Sequence, residues 1–159
     1  MHPRAEEFKR QARDEYDFDV EVHEFPEGTK TAADAAEAVD CDIAQIASGI
    51  ALSTDDTLVV SITSGANRVS EAKIADLVDT NASEVSMADP DDIKETLGWS
   101  IGGVPPFCHK SDIPLFMDET LTDHDEVWAA AGTPEAVFPV APDILEALSG
   151  ATVADIAEE

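Results

Sequence analysis

Positive charge is scarce in this chain. Nine Lys and Arg stand against 35 Asp and Glu in 159 residues, a formal net charge of −26. This excludes a protein that grips nucleic acid at low salt through a broad basic face, because such binding comes from neutralising phosphates with cations. Cysteine is nearly absent as well. Cys41 and Cys108 form no CxxC pair, and together with the four histidines they show no zinc-ligand spacing. A disulfide framework is excluded, and a reducing, cytoplasmic setting fits. No apolar run approaches the ~20 residues needed to cross a bilayer. Met1 is followed by His2, Pro3 and a charged segment, so no signal peptide is expected. There is no GxSxG elbow, no P-loop and no GxGxxG after a strand.

What is present is a core. Apolar residues make up 43% of the chain, too many for a disordered acidic tail. The length favours one domain, residues 1–159, able to bury roughly 70% of its unfolded surface. The acidic residues are spread along the whole chain, where their mutual repulsion opposes compaction in dilute buffer. At about 1 M salt the Debye length falls to roughly 3 Å and screens most of that repulsion. With only five lysines against 24 alanines, the composition is that of a salt-adapted protein, and a halophilic archaeon is the expected source.

Hydrophobic periodicity places the elements. Residues 3–15 read as an amphipathic helix with Pro3 in its first turn. Phe18 to Phe25 alternates like a half-buried strand. A turn at Glu27-Gly28-Thr29 precedes an alanine-rich helix, capped by Thr31 with Asp34 three residues on, that ends near Val39. Strands follow at 48–53 and 57–63, joined through Asp55-Asp56. Ser70 caps a helix through Leu77, a short strand covers Glu84–Met87, and Asp89-Pro90 opens a helix that Gly98 ends. Beyond a loop at 99–113 come strands at 114–118, 126–131 and 135–140, a helix from Pro142 to Ser149, and a short docked C-terminal segment. Strands and helices mix without regular βαβ alternation, so an α/β or α+β domain around one mixed sheet is expected.

The loop Gly98-Trp99-Ser100-Ile101-Gly102-Gly103-Val104-Pro105-Pro106-Phe107-Cys108-His109 carries the strongest chemical signal. Adjacent glycines let backbone N–H groups approach a ligand, and adjacent prolines stiffen the path. Such a cradle can stabilise a developing oxyanion. A tight structural crossover would use the same residues. Trp99 and Phe107 could stack on a base or pack in the core, and Cys108 could be a small filler or a reactive thiol. Acidic pairs such as Asp91/Asp92 and Asp123/Asp125 could hold a hard cation, though solvated surface explains them as well. Four of the nine cations (Arg4, Lys9, Arg10, Arg13) lie on the first helix, where Glu6 and Arg10 have helical-neighbour spacing.

These segments recur together in one known family. Thr31–Ala36 (T-A-x-x-A-A), S-G-A-N-R-V ending at Val69, E-A-K-I-A-D-L at 71–77, G-W-x-x-G-G-V-P-P at 98–106, Asp118 closing a strand and A-A-A-G at 129–132 resemble, in order and spacing, the prolyl-tRNA-synthetase-associated editing domain of the YbaK/EbsC type. The resemblance covers about residues 15–150.

It implies a strongly curved mixed sheet flanked by helices and a free-standing aminoacyl-tRNA deacylase. Such a protein hydrolyses the ester of an amino acid wrongly attached to tRNA, such as alanine or cysteine on proline tRNA, with no metal and no cofactor. Its partners would be mischarged tRNA and prolyl-tRNA synthetase, with the protein a monomer or homodimer. By position, Gly102 to Pro106 would shape the aminoacyl pocket, with Thr31, Ser48, Val104, Pro105, Pro106 and Asp118 on the substrate; Arg68, Lys73 and Lys110, in or beside these segments, could contact phosphate or pair with neighbouring acids. Gly102 and Gly103 would donate N–H groups to the oxyanion, and His109 would transfer a proton unless the tRNA's own hydroxyl does so. Many members carry a lysine where this chain has Ser48, and often glycine where it has Cys108. A second reading therefore stands beside the hydrolase: a binding module of the same fold that has lost catalysis.

Overall fold

The structure, a computed structural model, describes residues 2–25, 32–54 and 57–158. Helix α1 spans Pro3–Tyr16. His2 caps it, its ring nitrogen accepting from the Arg4 amide, and Asp17 ends it in the left-handed region. Its buried stripe is Ala5, Phe8 and Ala12. Strand β1 is only His23–Glu24, shorter than the alternation at 18–25 suggests. The physical reason is the partner: only these two residues find ladder positions, opposite Val137 and Ala136. Val20 is buried and Phe18 packs edge-on against Phe107 and Phe138, so the alternation marks a buried face rather than a full strand.

Helix α2 is Ala32–Val39, β2 Ile46–Ser53 and β3 Leu58–Ser64. The expected Thr31 cap and the turns at 27–29 and 55–56 fall outside the described residues. Helix α3 is Glu71–Leu77, capped by the Ser70 side chain; β4 is Ser86–Met87. Helix α4 is Pro90–Leu97, ended by Gly98 at φ 84°. Strands β5 (Leu115–Asp118), β6 (Val127–Ala130) and β7 (Ala136–Val140), helix α5 (Pro142–Ser149) and β8 (Thr152–Ala154) complete the chain. The three-residue β8 was not expected as a strand. It pairs in parallel with β5, so its conformation comes from a neighbour rather than from its own pattern.

Among the described residues these strands form one mixed sheet in the order β1-β7-β6-β2-β3-β5-β8, with β4 on β2. All of β3 is buried, as a central strand covered on both faces requires. Leu58, Val60 and Ile62 enter the main core, while Val59 joins Leu52, Ile74 and Ile156 on the opposite face. Ser61 and Thr63 satisfy each other at 2.6 Å. Phe8 anchors the main core, its ring 5.2 Å from those of Phe107 and Phe138 and 6.0 Å from Trp99. Trp99 and Phe107 are therefore core residues, Trp99 also donating to the Cys108 carbonyl.

Candidate functional site

Strand β2 has a divided edge. Ile46 and Ala47 pair with Trp128 and Ala129 of β6, and Leu52 and Ser53 pair with Met87 and Ser86 of β4. Between them, Ser48, Gly49 and Ile50 have no ladder partner on that side. The Gly/Pro loop approaches this gap. A β-carbon on Gly49 would lie 2.8 Å from the Val104 carbonyl oxygen, so only glycine allows the loop so close to the strand.

The space left over is a cavity of about 350 Å³. Its floor is the β2 backbone from Ala47 to Ala51, its walls include Trp128 and Thr133, and Ile101, Gly102 and Val104 come from the loop. Ile101 and Met87 are the exposed apolar residues on its lining, 53% and 59% accessible. Among the described residues no Asp, Glu, His, Lys or Arg lines it. The polar groups it offers are the Ser48 and Thr133 hydroxyls and the backbone. Among the described residues the Gly102 and Val104 amides and the Ser48 hydroxyl have no hydrogen-bond partner, which leaves them able to meet a ligand.

Several residues expected at the site sit elsewhere. Gly103 is buried behind the lining. Its amide donates to the Ser100 carbonyl at 3.1 Å, so it is already committed, and a β-carbon there would stand 2.6 Å from the Thr133 Cα. Gly103 is thus the point where the loop packs on the turn at 132–134. Pro105 and Pro106 are buried and face away from the cavity. His109 opens onto a separate cleft beside Glu7, Gln11 and Lys110, and its Nε2 donates to the Pro105 carbonyl at 2.7 Å. Burial holds its pKa below the ordinary imidazole value, partly offset by that hydrogen bond. The chain reverses at Cys108, a residue at φ 67°, and this folds His109 back onto the prolines. The Cys108 thiol is buried and its pKa is pushed up to about 12 by desolvation, which makes it a filler rather than a nucleophile.

Asp118 is also displaced. It is buried and clamps the ends of β3 and β5, accepting from the Ser64 amide (3.1 Å), the Asn67 side chain (3.0 Å) and the Thr120 amide (3.0 Å). Lys73 Nζ is held by both Asp155 carboxylate oxygens at 2.9 and 3.0 Å and by the Ala157 carbonyl at 2.7 Å. That bond keeps the exposed Asp155 carboxyl below its usual pKa. Arg68 is exposed, away from the cavity, and its carbonyl pins the Glu158 amide. Of the predicted residues, Ser48, Gly102 and Val104 are brought together. Thr31 falls outside the described residues. Gly49, Trp128 and Thr133 were missed, although an isolated glycine inside an apolar strand is itself a sign of close backbone approach.

No group of three or more His, Cys, Asp or Glu poised for a metal occurs among the described residues. None of the helices there is long and apolar enough to cross a membrane.

Residues 26–148 match the aminoacyl-tRNA editing domain, and the chain belongs to that family. A solved structure described as that of a proposed trans-editing enzyme for prolyl tRNA synthetase superposes with a TM-score of 0.92 at 36% identity, covering 100% of this chain and 99% of its own. A scaffold protein from computational epitope grafting gives a TM-score of 0.92 at 34% identity over the same shares. In Bacillus subtilis (strain 168), the uncharacterized protein YwhH is 25% identical over 130 residues, 81% of each chain. An editing role for the chain follows from this membership.

Proposed function

We propose that the protein is a trans-editing deacylase that hydrolyses the ester of mischarged tRNA carrying a small amino acid, with Ala- or Cys-tRNA(Pro) as the expected substrates and prolyl-tRNA synthetase as the associated enzyme. The observation that carries this reading is the apolar cavity of about 350 Å³ whose unengaged donors are backbone amides and a hydroxyl. A cavity of this size and character suits a small acyl group.

In the reaction, water adds to the carbonyl carbon, the bond to the ribose oxygen breaks, and that oxygen leaves with a proton. The Gly102 and Val104 amides are the groups suited to hold the oxyanion. Losing one such donor typically costs about 10²–10³ in rate. With no titratable side chain on the described lining, the proton path falls to the substrate's own ribose hydroxyl and water, with Ser48 orienting them. The same lack of a charged group on the described lining, together with Ser48 where the family resemblance would place a lysine, favours one competing reading: a module that binds aminoacyl-tRNA without turnover.

Single-turnover deacylation of a panel of mischarged tRNAs decides between them. Ester loss on Ala- or Cys-tRNA(Pro) supports the hydrolase. Tight binding with no ester loss on any tRNA supports the module. The assay belongs in concentrated potassium chloride, since a net charge of −26 fits a salt-adapted cytoplasmic protein. Equal melting temperatures at 50 mM and 2 M salt would overturn that part.

A further inference from the structure

The described lining of the cavity carries no charged side chain, yet the protein's few cations are not scattered. Lys9, Arg10 and Arg13 are exposed on α1, clear of the buried Ala5, Phe8 and Ala12, around one surface hollow that they share with Glu6 and Glu7. In a chain with nine cations and 35 acids, three cations against two acids around one hollow reverse the balance of sign locally. Internal pairing does not account for it. Among the described residues Lys9 and Arg10 form no ion pair, and the Arg13–Asp19 contact is long, 3.5 Å, with both side chains mostly in solvent. Glu7, at the amino end of the same surface, is already taken by Arg4 at 2.7 Å.

The cluster is mechanically tied to the cavity loop. From the same helix, Phe8 packs on Trp99 and Phe107, and Arg4 donates to the Gly98 carbonyl with its guanidinium 4.2 Å above the Trp99 ring. An α-helix with side chains is about 10–12 Å across, so the cations stand roughly one helix width from Gly98, Trp99 and Phe107, on the back of the loop whose front lines the cavity. A polyanion running from the cavity mouth around that edge meets positive charge there and, on an otherwise acidic surface, meets repulsion nearly everywhere else.

We infer that the Lys9–Arg10–Arg13 face of α1 docks the phosphate backbone of the RNA whose aminoacyl end enters the cavity. The inference rests on the aminoacyl-tRNA reading above and deepens it. Phosphate contacts of this kind fix orientation and carry no sequence information.

The test compares wild type with Lys9→Gln/Arg10→Gln/Arg13→Gln, keeping Lys94→Gln on α4 as a control for net charge. Four readouts are taken: binding of deacylated tRNA by fluorescence anisotropy from 0.1 to 1 M potassium chloride, hydrolysis of alanyl-adenosine, which has no phosphate backbone, deacylation of mischarged tRNA, and co-sedimentation with prolyl-tRNA synthetase. Each lost phosphate contact lowers the slope of log affinity against log salt by about 1. The triple variant should therefore lose about 2–3 from that slope, Lys94→Gln should leave it unchanged, and alanyl-adenosine hydrolysis should equal wild type. An unchanged slope in the triple variant, with deacylation of tRNA intact, overturns the docking face and leaves the proposed function standing. An unchanged slope with loss of co-sedimentation with prolyl-tRNA synthetase also overturns it, and makes the cluster a protein contact. No tRNA binding and no ester loss by wild type would fail both readings.

Discussion

The loop between Gly98 and Lys110 has two sides that obey different rules. Its front, Ile101, Gly102 and Val104, lines the cavity, and among the described residues none of its three amides finds a partner. Its back carries the hydrogen bonds that hold it in place: Trp99 donates to Cys108, His109 to Pro105, Gly103 to Ser100, and the Lys110 amide to Leu97. An unsatisfied donor costs stability where it is buried, as at Val104, unless a ligand meets it. The back supplies the rigidity that lets the front keep its amides unpaired. The adjacent glycines thus do different work: Gly102 at φ 86° presents backbone to the cavity, whereas Gly103 gives up its side chain so that the loop can lie on Thr133.

Four experiments test this division, taken from the largest expected effect to the smallest. Gly103→Ala should reduce single-turnover deacylation by about 100-fold, the scale of loss that follows a displacement near 1 Å at a reacting centre. The added methyl must push against Thr133 backbone, which cannot yield as a side chain tip would. A near-wild-type rate would mean that the loop's seating does not govern the front.

His109→Ala should stay far from the 10²–10⁴-fold loss typical of a removed general acid or base. A loss of that size would make the back of the loop chemical rather than structural, and would reinstate His109 as a proton donor.

How much of this was legible beforehand can be argued from the same residues. Pro3, Ser70, Pro90 and Gly98 mark helix ends through local backbone chemistry, and each mark lies within a residue of the end observed. Gly102 and Val104 were reachable because consecutive glycines and prolines state a backbone requirement directly. The gap in β2 was not, since it exists only because β6 and β4, distant in sequence, stop pairing on either side of Ser48–Ile50. His109 was misplaced for a local reason with a tertiary outcome. One residue at positive φ, Cys108, reverses the chain, and nothing in the residue type announces it.

The third experiment concerns pH. Burial depresses the His109 pKa in the folded state, so the unfolded chain binds the extra proton first. The stability from the neutral ring is present above the unfolded value of about 6.5 and is lost as pH falls below it. Urea denaturation of wild type and His109→Gln at pH 5 and 8 should show the variant losing less stability on acidification. Equal losses would place His109 in a more solvated setting than its packing implies.

The smallest effect is chemical silence. With its thiol pKa near 12, Cys108 should remain unalkylated by iodoacetamide at pH 8 in the folded protein, while the partly exposed Cys41 reacts slowly. Modification of Cys108 at the rate of the unfolded protein would show that the back of the loop opens readily.

The contact between Gly49 and the Val104 carbonyl sets how the cavity can change over time. Floor and loop already touch at a single oxygen atom, so the depth of the chamber has no room for adjustment. Its width is set by small side chains, because Ala35, Ala51, Ala88 and Ala130 all line it and a larger residue at any of them would narrow it. A lineage that needed to accept a smaller acyl group or refuse a larger one could do so at these alanines alone. The chamber works as an adjustable gauge: one jaw is welded, and the other advances in steps of a methyl group.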